Sequence, residues 1–255
     1  MVALLPGGGA SKFNLWMAVK IYRYLAYSVG GFIQHAAVYY IQRGYWFYVL
    51  GHIPKGKSPH SIDQKMLAKY QIGLSKDQCY RRKRQGKANV QYLRYRETFL
   101  LLATEGTHPL FEEERTALRN ARTSPLRVFG YAISAKNGRV LVRLNEPTFR
   151  RLKAEFRRLA LRGEPDLLVR KFQTLPFEPY RPVYRQLRSI WKTINRQRKT
   201  AGLPLVPRSA LRTRRRSFRS FESGNEGEAS ANGQAGERKR EGEPRTSRLR
   251  PLRGP

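Results

Sequence analysis

The chain has 255 residues, with 51 Lys+Arg against 18 Asp+Glu and a formal net charge of +33. Self-repulsion of that size opposes a compact state unless a polyanion screens it, so nucleic acid is the expected partner and an anionic membrane surface the alternative. One cysteine, Cys79, excludes an internal disulfide and a thiolate-based zinc site. The histidines His35, His52, His60 and His108 show no pair at helical ligand spacing.

The charge is not confined to a tail. Composition changes near Val206, and residues 207–255 hold 13 basic and 6 acidic residues, a net of +7. The remainder holds 38 basic and 12 acidic residues, a net of +26, so the part able to fold carries most of the charge. Hydrophobic residues make up 40%, enough for a core, and the length permits one or two domains. The pattern divides into a hydrophobic and aromatic extension over 1–40, a basic α+β domain over 41–206 and a disordered basic tail over 207–255.

Residues 1–12 read as a leader. Met1–Leu5 is apolar, but Pro6-Gly7-Gly8-Gly9 follows with no basic n-region, unlike a secretory signal. Phe13–Ser28 predicts a helix whose apolar residues cover nearly its whole circumference, and Gly30-Gly31 breaks it. Phe32–Ile41 fits a second short helix or a strand. The uncharged run Tyr24–Gln42 is the one membrane candidate, but Gly30-Gly31, Gln34 and His35 interrupt its middle, where a span should be most apolar.

Tyr45–Ile53 is a strand by its Trp, Phe, Tyr and Val content, ended by the loop Pro54–Pro59. Ser61 is positioned to cap a helix over Ile62–Tyr70, with Gly73 as its stop. Ser75 caps a second short helix whose C-terminal end, Arg81-Arg82-Lys83-Arg84, suits the helix dipole. Asn89–Ala103 predicts two strands, or one long strand, with a turn near Arg96-Glu97. A helix starts at His108 and Pro109, with Glu112, Glu113 and Glu114 near its positive end, and runs to Thr123-Ser124-Pro125. Asn137-Gly138 between Val128–Ser134 and Arg139–Leu144 is a hairpin signature, because both turn residues must take positive φ.

Two amphipathic helices follow. In Thr148–Arg162, Phe149, Leu152, Phe156 and Leu159 make one apolar stripe, while Arg150, Arg151, Lys153, Arg157, Arg158 and Arg162 occupy the other faces. In Val183–Ala201, Val183, Leu187, Ile190 and Ile194 form the stripe, and Arg185, Arg188, Lys192 and Arg196 run along an adjacent face. Glu164–Leu175 is a shorter helix between them. An exposed helix gains from mixed charges, since Glu–Lys pairs one turn apart support it and like charges repel. The first of these helices has one acid, Glu155, and the second has none, so an anionic partner is implied.

The expected fold is therefore α+β: a small antiparallel sheet, including the Asn-Gly hairpin, packed with several basic amphipathic helices. The expected function is binding of DNA or RNA without a cofactor, through Arg-rich helical faces on phosphates, inside the cell. A mobile-element, plasmid-replication or ribonucleoprotein setting would suit that charge. The expected contacts are Arg81, Arg82, Lys83, Arg84, Lys87, Arg94, Arg150, Arg151, Arg157, Arg158, Arg185, Arg188, Lys192 and Arg196. Basic residues interleaved with aromatics suit an unpaired or structured nucleic acid; on the strand, Tyr92 reads as core and Tyr95 as either core or surface. A metal-dependent nuclease or transposase is the enzymatic alternative, and it needs grouped carboxylates. The nearest grouping is His108, Glu112 and Glu113 with Glu105, and the dipole accounts for those glutamates without catalysis. No His-x-His pair and no phosphate-binding Gly-rich loop occurs. A membrane-associated basic protein is the third reading.

Overall fold

The computed structural model describes residues 22–162, 164–216 and 218. The architecture is α+β, with seven α-helices and two antiparallel sheets among the described residues. The first sheet has four strands, β1 (Phe47–His52), β2 (Val90–Tyr95), β3 (Thr98–Ala103) and β4 (Arg119–Asn120), in the order β2-β3-β1-β4. The second joins β5 (Leu126–Val128), β6 (Tyr131–Lys136) and β7 (Arg139–Leu144) in chain order.

The four-stranded sheet is buried on both faces. Val49, Val90, Tyr92, Leu101 and Ala103 face one apolar cluster that also contains Tyr70 and Leu110. Tyr48, Leu93, Leu100 and Leu102 face a larger cluster, shared with the inner side of the three-stranded sheet and the helices. Double-sided burial is why Phe99–Ala103 is a continuous apolar run and not an alternating one. The three-stranded sheet has one buried face, so Val140, Val142 and Leu144 turn inward while Arg139, Leu141 and Arg143 are exposed.

Tight turns close both hairpins of that sheet. Asn137 and Gly138 take φ of 50° and 69°, as the sequence expects. Phe129 and Gly130 take 49° and 82°, joining β5 to β6, so Val128 belongs to the preceding strand. The Phe129 ring meets Phe32 and Tyr95 edge-on, and that packing offsets the steric cost of positive φ at a bulky residue. The Arg96-Glu97 turn between β2 and β3 stands where expected.

The first described helix, α1 (Val29–Gln34), continues as a π-helical turn, His35–Tyr40, and a 3₁₀ turn, Ile41–Arg43. Gly30 and Gly31, expected to end the preceding Phe13–Ser28 helix, lie inside α1 instead. They form its first turn, where Ser28 Oγ accepts from the Gly31 N–H. The Phe218 ring occupies the space a Cβ on Gly30 would need. Residues 13–21 of the expected N-terminal helix lie outside the described residues. Its end does not continue as helix: Tyr24–Ala26 is extended and hydrogen-bonds to Arg94 on the free edge of β2. Ala26, Phe32, Ile33, Ala36, Ala37 and Ile41 belong to the main core, so residues 26–41 are part of the folded unit and not an extension. No helix among the described residues is long and apolar enough to cross a membrane.

Helix α2 (Pro59–Lys69) starts earlier than expected, because Pro59 occupies its first turn instead of ending a loop. Helix α3 (Lys76–Arg84) has the expected Ser75 cap, completed by Gln78 into a capping box. The helix expected from His108 to Ser124 is a single turn, α4 (Leu110–Glu113). The chain beyond it becomes β4, which pairs with β1. Helices α5 (Glu146–Leu159) and α6 (Pro165–Thr174) follow β7. Helix α7 (Arg181–Thr200) lies along β7, and the Gln186 side chain bonds both the N–H and the C=O of Leu144. Gln42 does the same for Val140 N–H and Gly138 C=O, so two side-chain amides satisfy the open strand edge.

The ordered core also passes the expected boundary at 206. Val206, Ala210 and Leu211 are buried. Glu178, itself buried, accepts from the Arg212 guanidinium and from the Arg216 N–H, which fastens residues 207–216 to the core. The expected disorder from 219 onward lies outside the described residues.

Candidate nucleic-acid interface

Helix α7 buries Val183, Leu187, Ile190 and Ile194 and holds no acidic residue. Arg185, Arg188, Lys192 and Arg196 are all exposed, as the spacing requires. Arg181 and Lys199, absent from the expected contacts, are exposed too. At 100° per residue the six fall within about 80° of the helix circumference and extend over about 27 Å. None of their side chains makes an ion pair or hydrogen bond among the described residues, so their charges are available to a ligand.

Arg198 on the same helix has another role. It is fully buried and donates to the carbonyl oxygens of Ala160 and Pro204, tying the end of α5 and the following loop to α7. On α5, Arg150, Arg151, Arg157 and Arg158 are exposed. Arg150 is bonded to Glu146 one turn away, an exposed pair that contributes little to stability. The one other acid of α5, Glu155, pairs with Lys171 of α6.

The outer face of the three-stranded sheet is a second basic surface, invisible to helical spacing. Register places Arg127, Ala132 and Arg143 in one row across the strands, then Ser134 beside Leu141, and Lys136 beside Arg139. Arg127, Lys136, Arg139 and Arg143 are exposed, and no acid stands on these strands. Alternation within Arg139–Leu144 contained the signal, since its odd positions are Arg, Leu and Arg.

The third cluster surrounds α3. Arg81, Lys83, Arg84 and Lys87 are exposed and Arg82 is half-buried. Arg94, expected among the ligand contacts, is committed elsewhere. Its Nε and Nη2 clasp the carboxylate of Asp63, fully buried, at 2.8 to 3.0 Å, and its Nη1 donates to Arg96 C=O. Burial works against the charged guanidinium, and the Asp63 bonds outweigh it, holding Arg94 above its ordinary value. Tyr92 donates its hydroxyl to the same carboxylate at 2.7 Å and is buried, which pushes its pKa far up. Tyr95 packs half-buried against Phe129, so neither tyrosine is a stacking platform. Tyr80, on α3, is exposed.

The residues weighed for catalysis are mostly held in structural contacts. His108 is buried, and its Nδ1 accepts from the Leu110 N–H. Burial and then the Arg82 charge lower its pKa, against an opposing hydrogen bond to the Tyr70 backbone. Glu113 pairs with Lys69 at 2.8 Å, Glu114 accepts from Tyr70 Oη, and Glu105 pairs with Arg122. Glu112 is exposed on α4. Among the described residues, no three His, Cys, Asp or Glu side chains are grouped so as to hold a metal ion. Cys79 is half-buried, and burial raises its thiol pKa.

In comparisons with known proteins, no family model matches the chain and no curated protein matches its sequence.

Proposed function

We propose that the protein binds nucleic acid, with the α7 stripe as its principal phosphate-contacting surface and the α5 and outer-sheet arginines as further contacts. The supporting observation is the stripe itself: Arg181, Arg185, Arg188, Lys192, Arg196 and Lys199, all exposed and acid-free on one helix. A solvated face with no anionic partner would gain by interspersing acids, because like charges one turn apart repel. Arginine predominates, and its planar guanidinium bonds phosphate in bidentate fashion. The apolar side of α7 is locked into the core, so the stripe has a fixed shape, unlike a loose polycation.

Binding of labelled DNA and RNA across a salt series tests the proposal. The expected result is tight binding at low salt with a steep negative slope of log affinity against log salt. No binding to either polymer at low salt would overturn it.

A further inference from the structure

We propose that a trough beside α3 takes an unpaired stretch of nucleic acid, so that the protein engages a single-stranded segment and not a duplex alone. This rests on the nucleic-acid reading above and adds a ligand form and a second site to it.

Two recesses, about 570 Å³ and about 300 Å³, meet at Gln71, Arg82 and Lys87 and form one trough along α3. Both are open to solvent, with volumes of the order of a small ligand's site, roughly 300–1,000 Å³. A duplex, whose major groove alone is about 12 Å wide, can lie across such a recess but not enter it. An unpaired nucleotide can enter.

The lining has the three chemistries an unpaired nucleotide presents. Arg82, Lys87 and Arg81 supply cations for phosphate. Gln85 supplies an amide with both donors and an acceptor, and Gln71 and Gln78, whose oxygens accept from Arg82 and Ser75, present their NH2 donors, which suits base edges that a duplex would conceal. Phe111, half-buried in the wall and packed edge-to-face with Phe47, places a phenyl ring at the recess. Glu112 is the one acid in the lining.

Two further observations agree. Arg82 Nε is buried with no hydrogen-bond partner, and the Arg82 contact to Gln71 Oε1 is long, at 3.4 Å. A buried donor left unused costs stability, and a ligand oxygen would satisfy it. Helix α3 also buries none of its residues. A helix with no core face gains little from packing, and a ligand laid along it would supply contacts it lacks.

The test is fluorescence anisotropy with a labelled single-stranded oligonucleotide and its duplex, for wild type and two variants. One variant combines Arg82→Gln with Lys87→Gln. The other combines Arg185→Gln, Arg188→Gln, Lys192→Gln and Arg196→Gln. Wild type is expected to favour the single strand about 10-fold or more. The trough variant should lose that preference while keeping duplex affinity within about 3-fold, and the α7 variant should weaken both forms alike. A wild type with no single-strand preference, or a trough variant that weakens both forms equally, overturns the proposal. Binding to neither form overturns the nucleic-acid reading instead, so the two failures are distinct. If the trough variant does not fold, photo-crosslinking of a 5-bromouracil oligonucleotide to wild type decides. Crosslinks at Phe111 or at the Gln78–Gln85 face of α3 support the trough, and crosslinks confined to α5 and α7 overturn it.

Discussion

Replacing Arg185, Arg188, Lys192 and Arg196 by Gln removes four charges and leaves the helix intact. All four side chains are exposed and none is bonded within the described residues, so no packing or hydrogen bond is lost. Gln has a helix propensity close to that of Arg and Lys, and removing like-charge repulsion along α7 should hold or raise the thermal midpoint. The binding effect follows from counterion release. Each phosphate contact contributes about −0.9 to the slope of log affinity against log salt on duplex DNA, so four lost contacts flatten it by about 3.6. Between 50 and 200 mM salt the ratio of wild-type to variant affinity should then narrow about 150-fold. On single strands the flattening should be about 2.8. Anisotropy titrations at four or five salt concentrations measure the slope directly, with circular dichroism melts to verify folding. A variant that melts like wild type and keeps its slope would place the contact surface elsewhere.

Three other perturbations test the account of the fold. Asp63→Ala strands the Arg94 guanidinium and the Tyr92 hydroxyl in a buried site, and should cost about 3–5 kcal/mol in urea unfolding. A loss under 1 kcal/mol would show that water already reaches that pair. Glu178→Gln weakens the bonds to Arg212 and Arg216, and should speed proteolytic cleavage within residues 207–216 while leaving cleavage elsewhere unchanged. Equal cleavage rates would mean that Val206, Ala210 and Leu211 hold the segment alone. His108 gives a pH dependence with a definite sign. Its folded-state pKa lies below the ordinary value of about 6.5, so as pH falls the unfolded chain takes up the proton first. Its contribution to stability is full above about pH 6.5 and is lost as pH falls from there toward the folded-state value. His108→Gln should therefore flatten the decline in unfolding free energy between pH 7 and pH 5, and parallel curves for the two proteins would contradict the assignment.

Periodicity and local chemistry determined much of this chain. The apolar stripes of α5 and α7, the Asn137-Gly138 hairpin, the Ser75 capping box and the turn at Arg96-Glu97 are short-range features, and each is where the residues put it. The α7 cation row was legible for the same reason, because one helical period orients both its stripes at once. Long-range pairing was not legible. Nothing local shows that the chain after Glu113 leaves its helix to pair Tyr48 with Arg119, or that Tyr24–Ala26 joins the edge of β2. Gly30-Gly31 looks like a helix breaker until the packing of Phe218 shows the need for a bare backbone there.

The same division separates the candidate binding residues. Arg94 and Arg185 are indistinguishable as arginines in basic segments, and only the approach of Asp63, 31 residues distant in sequence, commits one of them to the interior. The outer-sheet row of Arg127 and Arg143 and the trough shared by Gln71, Arg82 and Lys87 arise from register and packing between segments. Net charge and helical period thus determined that a shaped cationic surface exists. Tertiary structure decided which cations belong to it, because a charge is available to a ligand only where no buried carboxylate of the same chain has claimed it.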